Sequence, residues 1–285
     1  MNASPTKIRR TLTDTPLARA HERALLDHGS KRHKPIPYDR FDRRSYPDAA
    51  LALSFDAQKA LALGEYTAVD LFARIASGLA LNGAPFDVVA AATRIPTDEI
   101  RHADITFRMA RLISGEDVEV KLDREALAKR WSGPMTLEAL DCDLVEISAI
   151  GETLSCALLG ACHDRATDPA LKAIFASIVA DEVHHARLGW YYLAWRAPQW
   201  TRAERQRVAD RAGVVVMNTE RQFWKGRDAP AGARAAARAL GVLESAGQRR
   251  AVHAVMQNEI VPALDALGLG ASHAWRARRR GARPQ

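Results

Sequence analysis

Hydrophobic positions recur with a helical period from residue 48 onward. Long stretches rich in Ala, Leu, Val and Ile contain few glycines or prolines, and the short alternating β-branched runs typical of strands are absent. The pattern therefore predicts an all-α protein. The predicted helices span about 48–81, 85–114, 134–165, 168–196, 202–223 and 233–267, and the segment beyond 270 is expected to be frayed.

Local signals set these boundaries. Gly83 and Gly115 follow the first two helices, where a glycine commonly ends a helix. Asp168 followed by Pro169 is a typical helix start, because the aspartate caps free N–H groups and proline suits the first turn. Pro96 lies inside the second predicted helix and is expected to kink it.

Composition divides the chain into four parts. Residues 1–47 form a basic, proline-containing arm of net charge +6, in which we expect one short helix near 16–26. Residues 48–200 are predicted to form a four-helix bundle and 201–270 two additional helices. Residues 271–285 form an Arg-rich tail of charge +5, so the centre of the chain is acidic despite the overall charge of +7.

The composition also excludes several classes of protein. With 47% hydrophobic and 26% charged residues over 285 positions, the chain can bury a large core, which excludes a wholly disordered protein. We see no apolar run long enough for a membrane span and no secretory signal at the N-terminus. Three cysteines without a CxxC pair fit a reducing, cytoplasmic compartment.

Two short patterns occur twice, in the same order. A Gly-Glu pair at 64–65 returns at 151–152, and Asp-Glu-x-x-His at 98–102 returns at 181–185. The glutamates of the two patterns are 87 and 83 residues from their repeats, so each half combines one helix bearing a glutamate with a second helix bearing Glu-x-x-His. The repeat indicates two related halves around one site.

This arrangement predicts a metal site. Residues i and i+3 share a helix face, so the Glu and His of each motif can reach one point. Four carboxylates and two imidazoles inside an apolar bundle need compensation, and two divalent cations supply it. Carboxylate and imidazole ligands together suit iron or manganese. The candidate ligands are Glu65, Glu99, His102, Glu152, Glu182 and His185.

The six positions resemble those of the ferritin-like di-iron carboxylate superfamily, in which two helices each provide a Glu and two others each provide Glu-x-x-His. The resemblance covers roughly residues 55–195. It implies a ferritin-like four-helix bundle holding two iron ions, with Fe/Mn or Mn as alternatives, and O2 as co-substrate.

Several neighbouring residues compete with these ligands or support them. Glu146 competes with Glu152, but six positions on a helix separate the two by about 240°, so only one can face the site. The Gly-Glu repeat favours Glu152. We interpret His184, adjacent to a candidate ligand, as structural, and Cys156, four positions after Glu152, as either a core residue or part of the site lining.

The resemblance to desaturases and ribonucleotide reductase small subunits also implies roles for residues around the ligands. The aspartates that precede each Glu-x-x-His are expected to contact the histidine of the opposite half, Asp98 with His185 and Asp181 with His102. Ser155 stands where the desaturases carry an oxygen-handling hydroxyl, although a serine bonded to its own helix is an equal alternative.

The resemblance implies an O2-dependent di-iron oxidase or oxygenase that hydroxylates, N-oxygenates or desaturates a small organic substrate. Electrons are expected from an external donor such as a ferredoxin or a reductase, since no flavin, nicotinamide or Fe–S motif is visible. Thr106 stands where reductase small subunits carry a radical tyrosine, which disfavours that role. An apolar lining of Val69, Phe72, Leu154 and Leu158 fits an apolar substrate or ordinary core packing.

Two other functions are open. A ferroxidase or metal-storage protein would oxidise Fe(II) without an organic substrate. A di-iron tRNA hydroxylase would use the basic tails for phosphate contacts, but nucleic acid is disfavoured because no aromatic residue is interleaved among the arginines of 276–283. A homodimer is compatible with the sequence, which does not decide the oligomeric state.

Overall fold

The computed structural model describes residues 34–116, 135–223 and 228–281, with residues 16, 19 and 118 as isolated positions. All regular structure in these residues is helical, which confirms the all-α prediction. Eight helices follow one another in these ranges: α1 Asp48–Leu81, α2 Phe86–Ser114, α3 Leu137–Arg165, α4 Pro169–Arg196, α5 Arg202–Phe223, α6 Arg234–Ala239, α7 over 245–266 and α8 Ala271–Gly281.

Helices α1 to α4 form two paired layers. α1 packs along α2, α3 packs along α4, and α2 also meets α4 across the interior. The boundary signals act as expected: Gly115 ends α2 with φ 74°, and the Asp168 carboxylate accepts hydrogen bonds from the N–H groups of Ala170 and Leu171. Pro96 lies inside a continuous α2. The predicted bounds of the first five helices therefore agree with the structure to within a few residues.

The prediction of two additional helices after residue 200 is wrong, because four helices, α5 to α8, occupy the described part of this region. The expected sixth helix is interrupted between α6 and α7. Gly241 adopts φ 76° there, and a Cβ at this position would overlap the ring of Phe175. Only glycine suits that turn, and it ends α6.

The segment beyond 270 is also more ordered than expected. It forms α8, which buries Trp275, and the Arg278 guanidinium lies 3.1 Å from the centroid of the indole ring of that residue. α5, α7 and α8 contribute to the same hydrophobic core as the bundle. Arg278, one of the charged residues of the tail, therefore contributes to the packing of α8.

The described end of the arm, residues 34–47, lies against the bundle. It contains two 3₁₀ turns, Tyr38–Arg40 and Arg43–Ser45. Two tyrosine hydroxyls in this segment form hydrogen bonds, one with a residue of α2 and one with the residue that caps α4. Tyr38 donates to the carbonyl of Ile105 at 3.0 Å, and Tyr46 donates to the Asp168 carboxylate at 2.8 Å. The helix predicted near 16–26 lies outside the described residues, apart from positions 16 and 19, and so does residue 134, the expected start of the third helix.

One described helix, Leu137–Arg165, is long and apolar enough to cross a membrane by length and composition, with a mean hydropathy of 1.5 over its best window. A core helix of a bundle passes the same test.

Candidate metal centre

Four helices bring the six candidate ligands together. The ligand atoms form two overlapping groups, in each of which every atom lies within 4.8 Å of the others. The members of the first group are Glu65, Glu99, His102 and Glu182, and those of the second are Glu99, Glu152, Glu182 and His185. Glu99 and Glu182 belong to both groups, so the two groups meet at these two carboxylates.

Burial and spacing fit metal ligation. Both histidines are fully buried, and Glu99 and Glu182 are 1% exposed. His102 Nδ1 lies 3.3 Å from Glu182 Oε1, and His185 Nδ1 lies 3.2 Å from Glu99 Oε1. Two ligands about 2.1 Å from a shared ion, at about 100° to each other, stand about 3.2 Å apart. The observed separations are of that size.

The buried ligand atoms also lack other partners. Glu182 Oε1 and Oε2, Glu99 Oε2 and the Nδ1 atoms of both histidines have no hydrogen bond. An unpaired buried polar group costs about 1–3 kcal/mol, and a charged one more, so several in one place indicate a missing ligand. Because these atoms come close together and combine carboxylate with imidazole, the cluster could bind a metal ion.

The metal-free cluster compensates its charges with protons. Burial raises the pKa of Glu65 and of Glu152 well above the usual value, which favours the neutral form of these two carboxyl groups. Burial would lower the histidine pKa values, but contacts with Asp181 and Glu182 raise the pKa of His102, and contacts with Asp98 and Glu182 raise that of His185.

The pKa values of the two shared carboxylates, Glu99 and Glu182, shift in the opposite direction. Burial would raise the pKa of Glu99 and of Glu182, yet both are lowered by His102 and His185 beside them. The cluster therefore favours the ionised form of the two shared glutamates and the protonated form of the histidines and the outer glutamates. Two divalent cations would replace about four protons, two from the histidines and two from the outer glutamates.

The outer nitrogens of both histidines meet an aspartate from the opposite half. His102 Nε2 lies 3.2 Å from Asp181 Oδ2, and His185 Nε2 lies 3.4 Å from Asp98 Oδ2. These are the contacts expected from the sequence. They leave each Nδ1 directed at the carboxylates, which fixes the orientation that a metal-bound histidine needs.

The two aspartates differ in their surroundings. Asp181 is fully buried and forms an ion pair with Arg101, which also donates to Ser177 Oγ at 2.8 Å. The side chain of Asp98, in contrast, is 21% exposed. The partly exposed Arg101 lines a groove of about 900 Å³ on the outer face of α1 and α2, together with Tyr66, Ile100 and Phe107. Arg101 thus connects the groove to His102 through Asp181, a role that sequence reasoning missed.

Helix α3 carries its ligand on an irregular backbone. Residues Leu144–Glu152 are π-helical, a form that is rare and frequent at functional sites. Within this segment Glu146 points to Arg211 of α5, whereas Glu152 joins the cluster. Glu152 is partly buried, whereas the other five candidate ligands are buried. No sequence signal that we used indicates a π-helix.

The π-helical segment lies very close to α4. Ser148 Oγ donates to the backbone carbonyl of His185 at 2.6 Å. A Cβ on Gly189 would come within 2.7 Å of the Ser148 carbonyl carbon and closer still to the Ala149 nitrogen. Gly189 therefore permits the approach that fixes the His185 turn against α3.

The other residues that the sequence indicated as possible parts of the site lie around the six candidate ligands or farther from them. Ser155 is half-buried, and within the described part of the chain it makes no hydrogen bond to the cluster. Burial, and next the charge of Glu182, raise the pKa of Cys156 to about 12, so this thiol is neutral and near the centre. His184 is exposed. Phe72 is fully buried, with its ring centroid 6.0 Å from that of His185.

Comparisons with protein-family models, with curated proteins and with solved structures give no match to this chain. The resemblance to the ferritin-like superfamily accordingly rests on the six ligand positions, their order and their spacing.

Proposed function

We propose that the protein is an O2-dependent di-iron oxidase or oxygenase of the ferritin-like type. It would act on a small organic substrate with electrons from a separate donor protein. The observation that carries the proposal is the pair of buried ligand groups sharing Glu99 and Glu182. Two iron ions bound there would supply the electron transfer and O2 chemistry that side chains alone lack.

The chain's own residues would prepare this chemistry in three ways. Glu65 and Glu152 would each complete one ion position, and the shared glutamates would hold the two ions at a fixed separation. Asp98 and Asp181 would orient the histidines. The fully buried Phe72 beside His185 would keep bulk water from that side of the centre.

The test begins with metal content. The full chain is loaded anaerobically with Fe(II), the iron per chain is counted, and the protein is mixed with O2 in a stopped-flow spectrometer and in an oxygen electrode. We expect about two irons per chain, one rapid consumption of O2 per pair, and further consumption only when a reductant is supplied.

Other outcomes identify the alternatives. Repeated O2 consumption with each new addition of Fe(II), and no dependence on a reductant, would establish a ferroxidase or storage protein instead. Iron content below one per chain, unchanged by Glu65→Ala or Glu152→Ala, would contradict the ligand assignment itself.

A further inference from the structure

The groove of about 900 Å³ on the outer face of α1 and α2 has a small, apolar floor. Two alanines, Ala62 and Ala103, line it and are buried. Larger apolar side chains on both helices form its sides, and those of Tyr66 and Ile100 are 50% and 44% exposed. Large apolar groups that remain exposed on both sides of one groove indicate a surface that binds another molecule.

The groove has the size and the lining of a small-molecule site. Such sites typically enclose about 300–1,000 Å³ and combine apolar walls with a few polar groups. Among the described residues, α1 and α2 alone line the groove. Its polar residues all lie on α2, and they are Thr97, Arg101, Asp104 and Arg108.

Arg101 is the polar group best prepared to bind a ligand there. Its side chain is 28% exposed, and its guanidinium is held in place by Ser177 and by the buried Asp181. Nη1 and Nη2 make these contacts, whereas Nε has no hydrogen-bond partner among the described residues. Because a guanidinium has five N–H donors, Arg101 retains the capacity to donate to a further acceptor.

The charges of the groove favour a carboxylate as that acceptor. Two arginines and one aspartate line it, which gives a net charge of +1. Arg108 is 63% exposed and pairs with Asp104 inside the groove at 2.9 Å, whereas the acidic partner of Arg101, Asp181, is buried behind it. A planar carboxylate matches a guanidinium, but an ammonium group would meet two positive charges.

The groove lies directly outside the candidate metal centre. Ile100 and Arg101, which line it, stand between Glu99 and His102 in α2. Arg101 also contacts Asp181, whose Oδ2 atom lies 3.2 Å from His102 Nε2. A molecule bound to Arg101 is therefore joined to a candidate metal ligand through a single side chain, by contacts at hydrogen-bond distance.

We propose that this groove binds a small molecule with one carboxylate and an apolar body. The carboxylate accepts hydrogen bonds from Arg101, and the body lies between Tyr66 and Phe107. At 1.5 Å per residue, the stretch of α2 from Ile100 to Phe107 is about 10 Å long, which suits an aliphatic chain of medium length. The site goes beyond the proposed oxygenase function, since neither this ligand nor its binding requires O2.

Binding in the groove should also affect the metal centre. A carboxylate on Arg101 would hold the guanidinium against Asp181 and add a negative charge near the centre. Occupation of the groove should therefore strengthen metal binding at His102. Because such coupling is reciprocal, bound metal should strengthen binding of the carboxylate by the same factor.

The experiment begins with titration calorimetry of the metal-free full chain. The probes are octanoate, octylammonium and 1-octanol, which share an alkyl chain and differ in the head group. We expect octanoate to bind at least about tenfold more tightly than the other two. Arg101→Gln should weaken octanoate binding by about tenfold and leave octanol binding unchanged. Ile100→Asn should weaken both by about tenfold, because it removes an apolar side of the groove.

Each variant has a matched control outside the groove. Arg74→Gln removes an exposed arginine of α1 that pairs with Asp70 at 2.9 Å, and Leu112→Asn removes an exposed apolar residue of α2. Neither should change octanoate affinity by more than about twofold. If Arg101→Gln does not fold, Arg101→Lys tests the same contact, because it keeps the charge without the planar pair of donors.

The coupling is measured by repeating the octanoate titration on protein loaded with Zn(II), which supports no redox chemistry. Loading should tighten octanoate binding by about fivefold in wild type and leave it unchanged in Arg101→Gln. Equal affinities of metal-free and loaded wild type would contradict the connection through Asp181.

Octanoate binding that is undetectable, no tighter than that of octanol, or unchanged in Arg101→Gln would overturn the site. An affinity that falls as the protein concentration rises would show that a second copy of the chain covers the groove, and it would overturn the site as well. Because the first titrations use metal-free protein, their failure leaves the iron and O2 experiment unaffected. Selective octanoate binding without any reaction of Fe(II) with O2 would uphold the groove site and contradict the oxygenase.

Discussion

The helix pairs α1–α2 and α3–α4 place the same types of candidate ligand on different backbones. α1 and α2 carry Glu65 and Glu-x-x-His on regular helices, whereas α3 reaches Glu152 through the π-helical segment Leu144–Glu152. Four residues after its histidine, the first half has Thr106, whose hydroxyl bonds its own helix, and the second half has Gly189, which admits the α3 backbone. A shared ligand set thus does not require shared packing.

The halves also differ in charge around the histidines. Arg101 precedes His102 and pairs with Asp181, while the corresponding position before His185 holds the exposed His184. Asp98, the partner of His185, is partly exposed. The difference predicts that two ions bound at this cluster would be inequivalent, with a buried, charge-compensated aspartate behind one and a partly exposed aspartate behind the other.

The largest effect is expected from the carboxylates that belong to both halves of the site. Glu99→Ala or Glu182→Ala should reduce the metal content from about two ions per chain to about none, because each residue serves both positions. Glu65→Ala and Glu152→Ala should each retain about one ion. Metal analysis after equilibrium dialysis measures these values.

Glu146→Ala is the matched control. It removes a carboxylate that lies in the same π-helical segment as Glu152 but forms an ion pair with Arg211. It should keep about two ions per chain. If Glu65→Ala lost as much metal as Glu99→Ala, the division into shared and outer carboxylates would be wrong.

The protons held by the metal-free centre predict a strong pH dependence. Raised pKa values of Glu65, Glu152 and both histidines mean that the folded metal-free chain binds more protons than the unfolded chain between pH 6 and 8. Its free energy of unfolding should therefore fall as pH rises through this window. Glu99 and Glu182, whose pKa values are lowered, are ionised in both states there and contribute no slope.

Metal binding should reverse this trend. Loading with Zn(II) should release about four protons per two ions, and the stabilisation it gives should grow from pH 6 to pH 8. Thermal melts of metal-free and loaded protein across this range, with proton release measured in weak buffer, check the expectation. A release of about two protons would show that the outer glutamates are ionised before metal binds.

A smaller effect is expected where the packing of the halves differs. Gly189→Ala should destabilise the protein by about 3 kcal/mol, because its Cβ would overlap backbone atoms of α3 that cannot move aside independently. Thr106→Ala, the corresponding position, should cost about 1 kcal/mol, since it removes only a hydroxyl bonded within its own helix. Urea unfolding of the metal-free proteins measures both, and equal losses would contradict the assigned role of Gly189.

These positions also show how far the sequence could be interpreted. The Glu-x-x-His pairs followed from spacing, because i and i+3 residues of a regular helix must share a face. The complete ligand set and the Asp–His contacts were implied by the repeat and by the resemblance to the ferritin-like superfamily. The π-helical segment was not foreseen, and neither was its close approach to α4 at Gly189, which is a tertiary contact. The break at Gly241 and the helix α8 were missed because an isolated glycine in an Ala/Arg-rich stretch, and a single buried Trp275, are weak local signals.

The role of Arg101 could not be foreseen from its own motif. Its position beside His102 was visible, but its ion pair joins it to Asp181, eighty residues later. Such a contact can be predicted only when the packing of α2 against α4 is known. His184 has the same position in the second motif, directly before the histidine, yet its side chain is exposed. Residues that act between helices are therefore the part of a site that a single sequence reveals least.

The smallest effect we predict tests that inequivalence directly. Arg101→Gln keeps a hydrogen-bond donor but removes the charge beside Asp181, so it should weaken one of two metal-binding steps by about tenfold and leave the other unchanged. Titration with Co(II), followed by its visible absorption bands, separates the two steps and reports ligand geometry as well as affinity. Arg101→Lys should restore part of the lost affinity, because it returns the charge without the paired N–H groups.

His184→Gln supplies the comparison from the other half. It alters the corresponding position, where the side chain is exposed, and should change neither step by more than about twofold. Equal losses from the Arg101 and His184 variants, or a loss in Arg101→Gln that affects both steps alike, would mean that the two ion positions are equivalent despite their surroundings. A selective loss would instead assign the weakened step to the position held by His102, since only that histidine is oriented through the Asp181–Arg101 pair.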